Sequence, residues 1–207
     1  MLKGKGRGPE TDQMEVHAMA GMVRPVTDER DGLLTYLGQQ RTVLRLAAFG
    51  LSDEQARETP TASPLSVGGL IRHASAVEVG WTATIERRRV QQDYEGGFVL
   101  GPDQTLDDAL DRYAEAAART EAVVAEIRDL DQAIPVPKDA PWFPDDVVAW
   151  SVRWVLLHLI EETARHAGHA DILESIDGAT AYPLMAAAEG WPATPWVKPW
   201  PAPVGRR

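Results

Sequence analysis

The 207-residue chain contains no cysteine. That excludes disulfides, thiolate zinc sites and a protein thiol nucleophile. Any sulfur chemistry has to use a thiol brought in from outside. The sequence also lacks a run approaching the roughly 20 apolar residues that a membrane-spanning helix requires. Its first residues, MLKGKGRGPETDQ, carry basic groups with no apolar stretch behind them, unlike a secretory signal. Positive charge is in deficit, with 21 Lys and Arg against 31 Asp and Glu and a formal net charge of −10. A duplex-binding protein would instead show a basic face. The expectation is a cytoplasmic protein with a small-molecule partner, no nucleic acid and no membrane; a homodimer is left open.

Several catalytic signatures are missing as well. No serine sits in a Gly-x-Ser-x-Gly context, and there is no His-Glu-x-x-His zinc-protease motif. A di-iron bundle needs two Glu-x-x-His motifs, whereas Glu162 and His166 are four apart and have no second copy. The glycines Gly4, Gly6 and Gly8 run into Pro9 with no strand before them, so they are no phosphate loop.

What is present is helical periodicity. Leu33, Leu34, Leu37, Val43, Leu44 and Ala47 predict a first long helix from Thr27 or Asp28 to about Phe49, stopped by Gly50. Ser52 and Gln55 look like a capping box opening a short turn. Ser66 is a good N-cap for a second long helix over 67–92. After a loop at 93–104, Thr105 and Asp108 cap a third over 106–130. A Pro-rich loop at 134–146 precedes a fourth over 151–176, with Gly178 where a C-terminal glycine belongs. Strand signals are few. The reading is an all-α four-helix bundle over 25–178 with long crossover loops. It is preceded by a loosely ordered extension at 1–24, within which 14–23 can form a short helix. A Pro- and Trp-rich tail at 179–207 follows. Trp191, Trp196 and Trp200 predict that this tail is extended and laid over the bundle, since three tryptophans left in water invite aggregation.

The fourth helix carries HLIEETARHAGHADIL, which holds three of the 5 histidines. At about 100° per residue, Glu162 lies about 40°, His166 about 80° and His169 about 20° round from His158. All four share a sector narrower than an ordinary core stripe, near Trp154, Leu157 and Leu173. Side chains three and four residues apart reach one another across about 6 Å. A buried carboxylate without partners costs several kcal/mol, and a shared divalent cation would satisfy Glu162 and the imidazoles together. His73, on the apolar stripe of the second helix with Leu70, Val77 and Trp81, is the available ligand from elsewhere. A plain packing role fits the same residues: His73 as a hydrogen-bonded core histidine, His158 as a partner of Glu162, His169 as a neighbour of the site. The run Arg87–Arg89 reads as a solvated helix face or as an anchor for an anionic substrate.

SVRWVLLHLIEETARHAGHADIL (151–173) closely resembles the signature of the DUF664 family of the DinB/YfiT-like superfamily, which is related to mycothiol-dependent maleylpyruvate isomerases. TDER (27–30), LSDEQAR (51–57) and VGGLIRH (67–73) agree with it. The resemblance covers about 25–178 and is most specific in the last helix. It implies a four-helix bundle of unusual connectivity. It also implies a divalent metal, zinc before nickel or iron, held by one histidine of the second helix and by two residues four apart on the last. Carried over by position, the ligands are His73, Glu162 and His166. Glu162 stands where many relatives have histidine, although the maleylpyruvate isomerase branch has glutamate too. His169 is left as an extra or replacement ligand.

Some members of the superfamily use mycothiol, bacillithiol or glutathione. The Ala-, Arg- and Gly-rich composition suggests a GC-rich genome, where mycothiol is the thiol to expect. The resemblance thus implies a metal-dependent thiol S-transferase or isomerase in which the cation activates a low-molecular-weight thiol. His169 or His158 would orient a ligand or move a proton. Arg88 would meet the polar parts of the thiol, and Trp142 with Phe143 would read the substrate. A metal-assisted hydrolase and a non-enzymatic stress-related bundle with a structural metal fit the same ligands.

Overall fold

Side-chain caps set where each long helix begins. In the computed structural model, which describes residues 22–90, 97–137, 143–175 and 178–201, Asp28 accepts from the Asp31 N–H and opens α1 (Glu29–Leu46). Ser52 and Gln55 close the expected capping box over the short α2 (Asp53–Arg57). Ser66, Thr105 and Ser151 cap α3 (Val67–Ile85), α4 (Leu106–Glu126) and α5 (Val152–Glu174) in the same way. Each cap satisfies a backbone N–H that the helix start would leave without a partner.

Helices α1, α3 and α4 stop short of the sequence expectation, α1 by the least of the three, at Leu46 rather than about Phe49. α3 ends at Ile85 rather than 92, because Arg87 takes a left-handed conformation at φ 57°. Its neighbour Arg88 returns its N–H to the Ala83 carbonyl at 2.8 Å. This is the hydrogen bonding of a glycine-type C-cap made by an arginine, so no glycine announces it. α4 ends at Glu126, where Ile127 turns extended. Part of the expected 134–146 loop is ordered as β1 (Ala133–Pro135), which pairs antiparallel with β2 (Ala149–Ser151) in the register Ile134 to Trp150. Three-residue strands leave no periodicity to read.

α1 packs against α5, and α3 packs against both α4 and α5. The four long helices form the all-α bundle that the sequence implies, and the two-stranded sheet is a minor addition. Its interior falls into two apolar clusters. One gathers Leu44, Leu70, Ile71, Ala109, Ala170 and Leu173. The other gathers Leu37, Trp81, Val124, Val155, Leu156 and Leu159. Each fully buried leucine or isoleucine contributes about 1.5–3 kcal/mol. Between the clusters lies the buried pair Arg41 and Glu78, joining α1 to α3. Arg41 also reaches Glu121 of α4 at 2.8 Å.

The tail departs from the extended form expected of it. Residues 181–188 form α6 (Ala181–Ala188), which packs on α1 and buries Leu184, Met185 and Ala186. The Trp200 N–H returns to the Pro183 carbonyl at 2.8 Å. Trp196, expected to lie against the bundle, is 92% exposed at a turn closed by Thr194 and Val197. Leu157, expected on the inner face, is also exposed. Residues 1–21 of the anticipated N-terminal extension, with most of the helix suggested for 14–23, lie outside the described residues. No helix among the described residues is long and apolar enough to cross a membrane.

Candidate metal centre

The stripe on α5 and the histidine on α3 meet. His73 Nε2 lies 3.1 Å from Glu162 Oε1, and His166 Nε2 lies 3.2 Å from the same oxygen. Four-residue spacing sets Glu162 directly below His166, and the packing of α3 on α5 supplies His73. Both imidazoles turn the same edge toward one carboxylate oxygen. A carboxylate only accepts hydrogen bonds, so each Nε2 facing it donates an N–H when no cation is bound. The His166 bond foremost, and then that of His73, hold the Glu162 carboxyl well below the usual carboxylate range, against the opposing effect of burial.

The three side chains are 9–18% exposed, His166 the least and Glu162 the most. They are sheltered without being sealed. Their donor atoms all lie within 4.8 Å of one another, and among the described residues this is the group able to hold a metal ion. Ligand atoms held at about 2.0–2.1 Å from a tetrahedral cation stand about 3.4 Å apart. The two separations at Glu162, 3.1 and 3.2 Å, are already close to that. Two imidazole nitrogens and one carboxylate oxygen suit zinc and neighbouring divalent transition metals, and three protein ligands leave a coordination position open. The residues present therefore fit a single divalent cation.

The other expected site residues fall elsewhere. His169 places its Nδ1 3.4 Å from His166 Nδ1, the ring nitrogen that does not face Glu162, so it stands behind a member of the triad. His158 is not bonded to Glu162. Its ring stacks on Trp154 at 5.1 Å, meets the edge of Trp81 at 5.1 Å, and sets Nδ1 3.6 Å from Glu161. Arg88 lies past the end of α3, exposed and bonded to Glu86. About 18 Å of helix separates Ile85 from His73, so Arg88 is not brought to the triad. Trp142 lies outside the described residues, and its neighbour Phe143 packs against Trp81 and Trp150.

One neighbour of the triad was not anticipated. Phe98, in the segment between α3 and α4, stacks on the His73 ring with centroids 3.7 Å apart and planes 16° from parallel. It also meets His166 at 5.6 Å. The available signal was the pair Gly68-Gly69 at the start of α3. A Cβ on Gly69 would stand 2.0 Å from the Phe98 carbonyl oxygen, and one on Gly68 would stand 2.6 Å from Leu100. Glycine is what lets this segment lie directly on the helix.

Among solved structures, the fold is similar to that of a conserved protein from Enterococcus faecalis, with a TM-score of 0.56 and 12% identity over 73% of this chain and 98% of that one. No curated protein matches the chain. Residues 32–178 match a family model described as mycothiol-S-transferase. That span runs from the first turn of α1 to just past α5 and holds all three residues of the triad. The chain belongs to this DinB-like mycothiol-S-transferase family.

Proposed function

We propose that the protein is a metal-dependent thiol S-transferase that joins mycothiol, or a thiol like it, to a small electrophile, with one divalent cation held by His73, Glu162 and His166. The observation that carries this reading is the convergence of two Nε2 atoms from different helices on one sheltered carboxylate oxygen. A cation held there supplies a lowered thiol pKa, so that a thiolate forms near neutral pH.

Three features of the chain serve this chemistry. Glu162 stays ionised, because its two imidazole neighbours favour the carboxylate. With a ligand on Nε2, His166 carries its remaining proton on Nδ1 and donates it to His169, which fixes the ring's tautomer and direction. Without cysteine, no protein thiol competes for the electrophile. In the transfer the thiol S–H proton is lost, a sulfur–carbon bond forms, and the leaving group departs with its electron pair. His158, one turn along α5 from Glu162 and outside the triad, is the group proposed to take that proton. The partner is a small molecule in the cytoplasm, and the formal charge of −10 disfavours nucleic acid.

Thiol consumption by the purified protein, with mycothiol and monochlorobimane as substrates, tests this. Chelation should abolish the reaction and zinc should restore it, while His166→Ala should stay inactive in both conditions. Equal turnover by wild type and His166→Ala would remove the reading.

A further inference from the structure

We infer that Phe98 is a positioning residue of the centre: the segment at 97–100, seated on Gly68 and Gly69, holds the Phe98 ring flat on His73 and so fixes the direction of its Nε2. The inference rests on the reading of His73, Glu162 and His166 as a cation site.

An imidazole on a helix can turn about two side-chain bonds, and its terminal torsion is broad. His73 has its Nε2 contact with Glu162 on one edge, which leaves rotation about that contact free. A near-parallel ring at 3.7 Å removes that freedom. The electron-rich face of Phe98 also favours an imidazole that has become electron-poor by giving its lone pair to a cation. The same ring lies edge-on to His166 at 5.6 Å, so one side chain walls two of the three donors.

Phe98 can act this way because its backbone is fixed. Arg72 donates to the Val99 carbonyl at 2.6 Å, and Arg57 donates to the carbonyls of Gly101 and Gln104. Leu100 is buried in the apolar cluster around Leu70, and Asp53 of α2 accepts from the Leu106 N–H at 2.7 Å. A segment held at this many points is a built wall. The departure from ordinary packing is at Gly69, where the Phe98 carbonyl occupies the space of a missing side chain. A leucine or alanine there would suit a helix better.

The test uses the full chain with cobalt(II) as probe, read by visible absorption, and proton NMR of the cation-free protein. Wild type should show His73 ring protons displaced upfield by the stacked ring. Phe98→Leu should lose that displacement and bind cobalt at least about tenfold more weakly with an altered band, the size typical when a supporting partner of a ligand is removed. Phe98→Tyr should restore both, and Gly69→Ala, which moves the loop, should resemble Phe98→Leu. Wild-type cobalt affinity and band in Phe98→Leu would overturn the inference and leave the centre standing. Ordinary His73 shifts in wild type would overturn it as well. If wild type and His166→Ala both take up no cobalt, the centre itself fails and this role falls with it.

Discussion

Replacing Glu162 by Gln tests the centre with the smallest change of shape. In the cation-free protein the side-chain oxygen can still accept from His73 and His166, but without charge. Hydrogen bonds to a charged group are worth about 1.5–3 kcal/mol and neutral ones about 0.5–1.5. Two bonds weakened by about 1 kcal/mol each cost about 2 kcal/mol before solvent is counted. The side chain is 18% exposed, so water recovers part of that. For a chain of this length each kcal/mol moves Tm by about 2–4 °C, which predicts a fall of no more than about 4–8 °C. With zinc at a hundred times its Kd, wild type should gain about 2.7 kcal/mol, or about 5–11 °C. If loss of the anionic ligand weakens binding by at least about 10–100-fold, the same zinc concentration adds only about 0.4–1.4 kcal/mol to the variant. The assay is a thermal melt with chelator and then with zinc, on both proteins. An equal zinc-induced rise in the two would refute the assignment of Glu162 as a ligand.

Acid should separate the same two proteins in another way. Because the folded-state pKa of Glu162 is depressed, its contribution is fully present above the ordinary carboxylate value of about 4.3 and is lost as pH falls below it. With chelator present, wild type should therefore lose Tm more steeply than Glu162→Gln below about pH 4.3. Glu78→Ala should cost about 3 kcal/mol in urea unfolding, the low end of the range for breaking a buried pair, because Arg41 keeps Glu121. The double change Arg41→Met with Glu78→Leu should return most of that loss, and a cost under about 1 kcal/mol for the single change would contradict the buried-pair account. The Tyr113 hydroxyl is buried beside Thr163, with no hydrogen bond of normal geometry among the described residues. Tyr113→Phe should therefore leave stability unchanged or raise it by up to about 1 kcal/mol in the same assay.

Caps and spacing made most of the bundle legible, because Asp28, Ser52, Ser66, Thr105 and Ser151 act locally and do what their residue types do best. The meeting of His73 with Glu162 and His166 was legible for a similar reason. Polar groups set into an apolar stripe need a common partner, and a bundle brings such stripes together. What stayed hidden depends on tertiary context. An arginine in a glycine's conformation ends α3, and two three-residue strands pair across the segment 136–148. His158 shares the angular sector of Glu162, but the rings of Trp81 and Trp154 offer it closer partners. Phe98 could not be placed on His73 without knowing how its segment returns to α3. Trp196 shows the limit of arguing from hydrophobicity alone, since a turn between prolines holds it in water whatever its transfer energy.

The position of the polar residues explains how a bundle of this size tolerates such a centre. Each long helix has a break between its contributions to the two apolar clusters, and each break holds a buried polar side chain: Arg41 in α1, Glu78 in α3, Thr120 in α4 and Thr163 in α5. Thr120 bonds Thr82 at 2.7 Å, and Arg41 bonds Glu78. This layer is largely satisfied by its own members, so it does not draw on the triad. Glu162 adjoins Thr163 in sequence, and His166 follows one turn later. The chemistry therefore sits at the level where the core is already polar, with an apolar cluster on either side to supply stability. Changes at Glu78 should then cost stability with cation affinity kept, whereas changes to the triad should weaken cation binding on top of any cost in stability. A thermal melt with chelator therefore reads the stability of the cation-free chain, and the further rise with zinc reads the cation affinity.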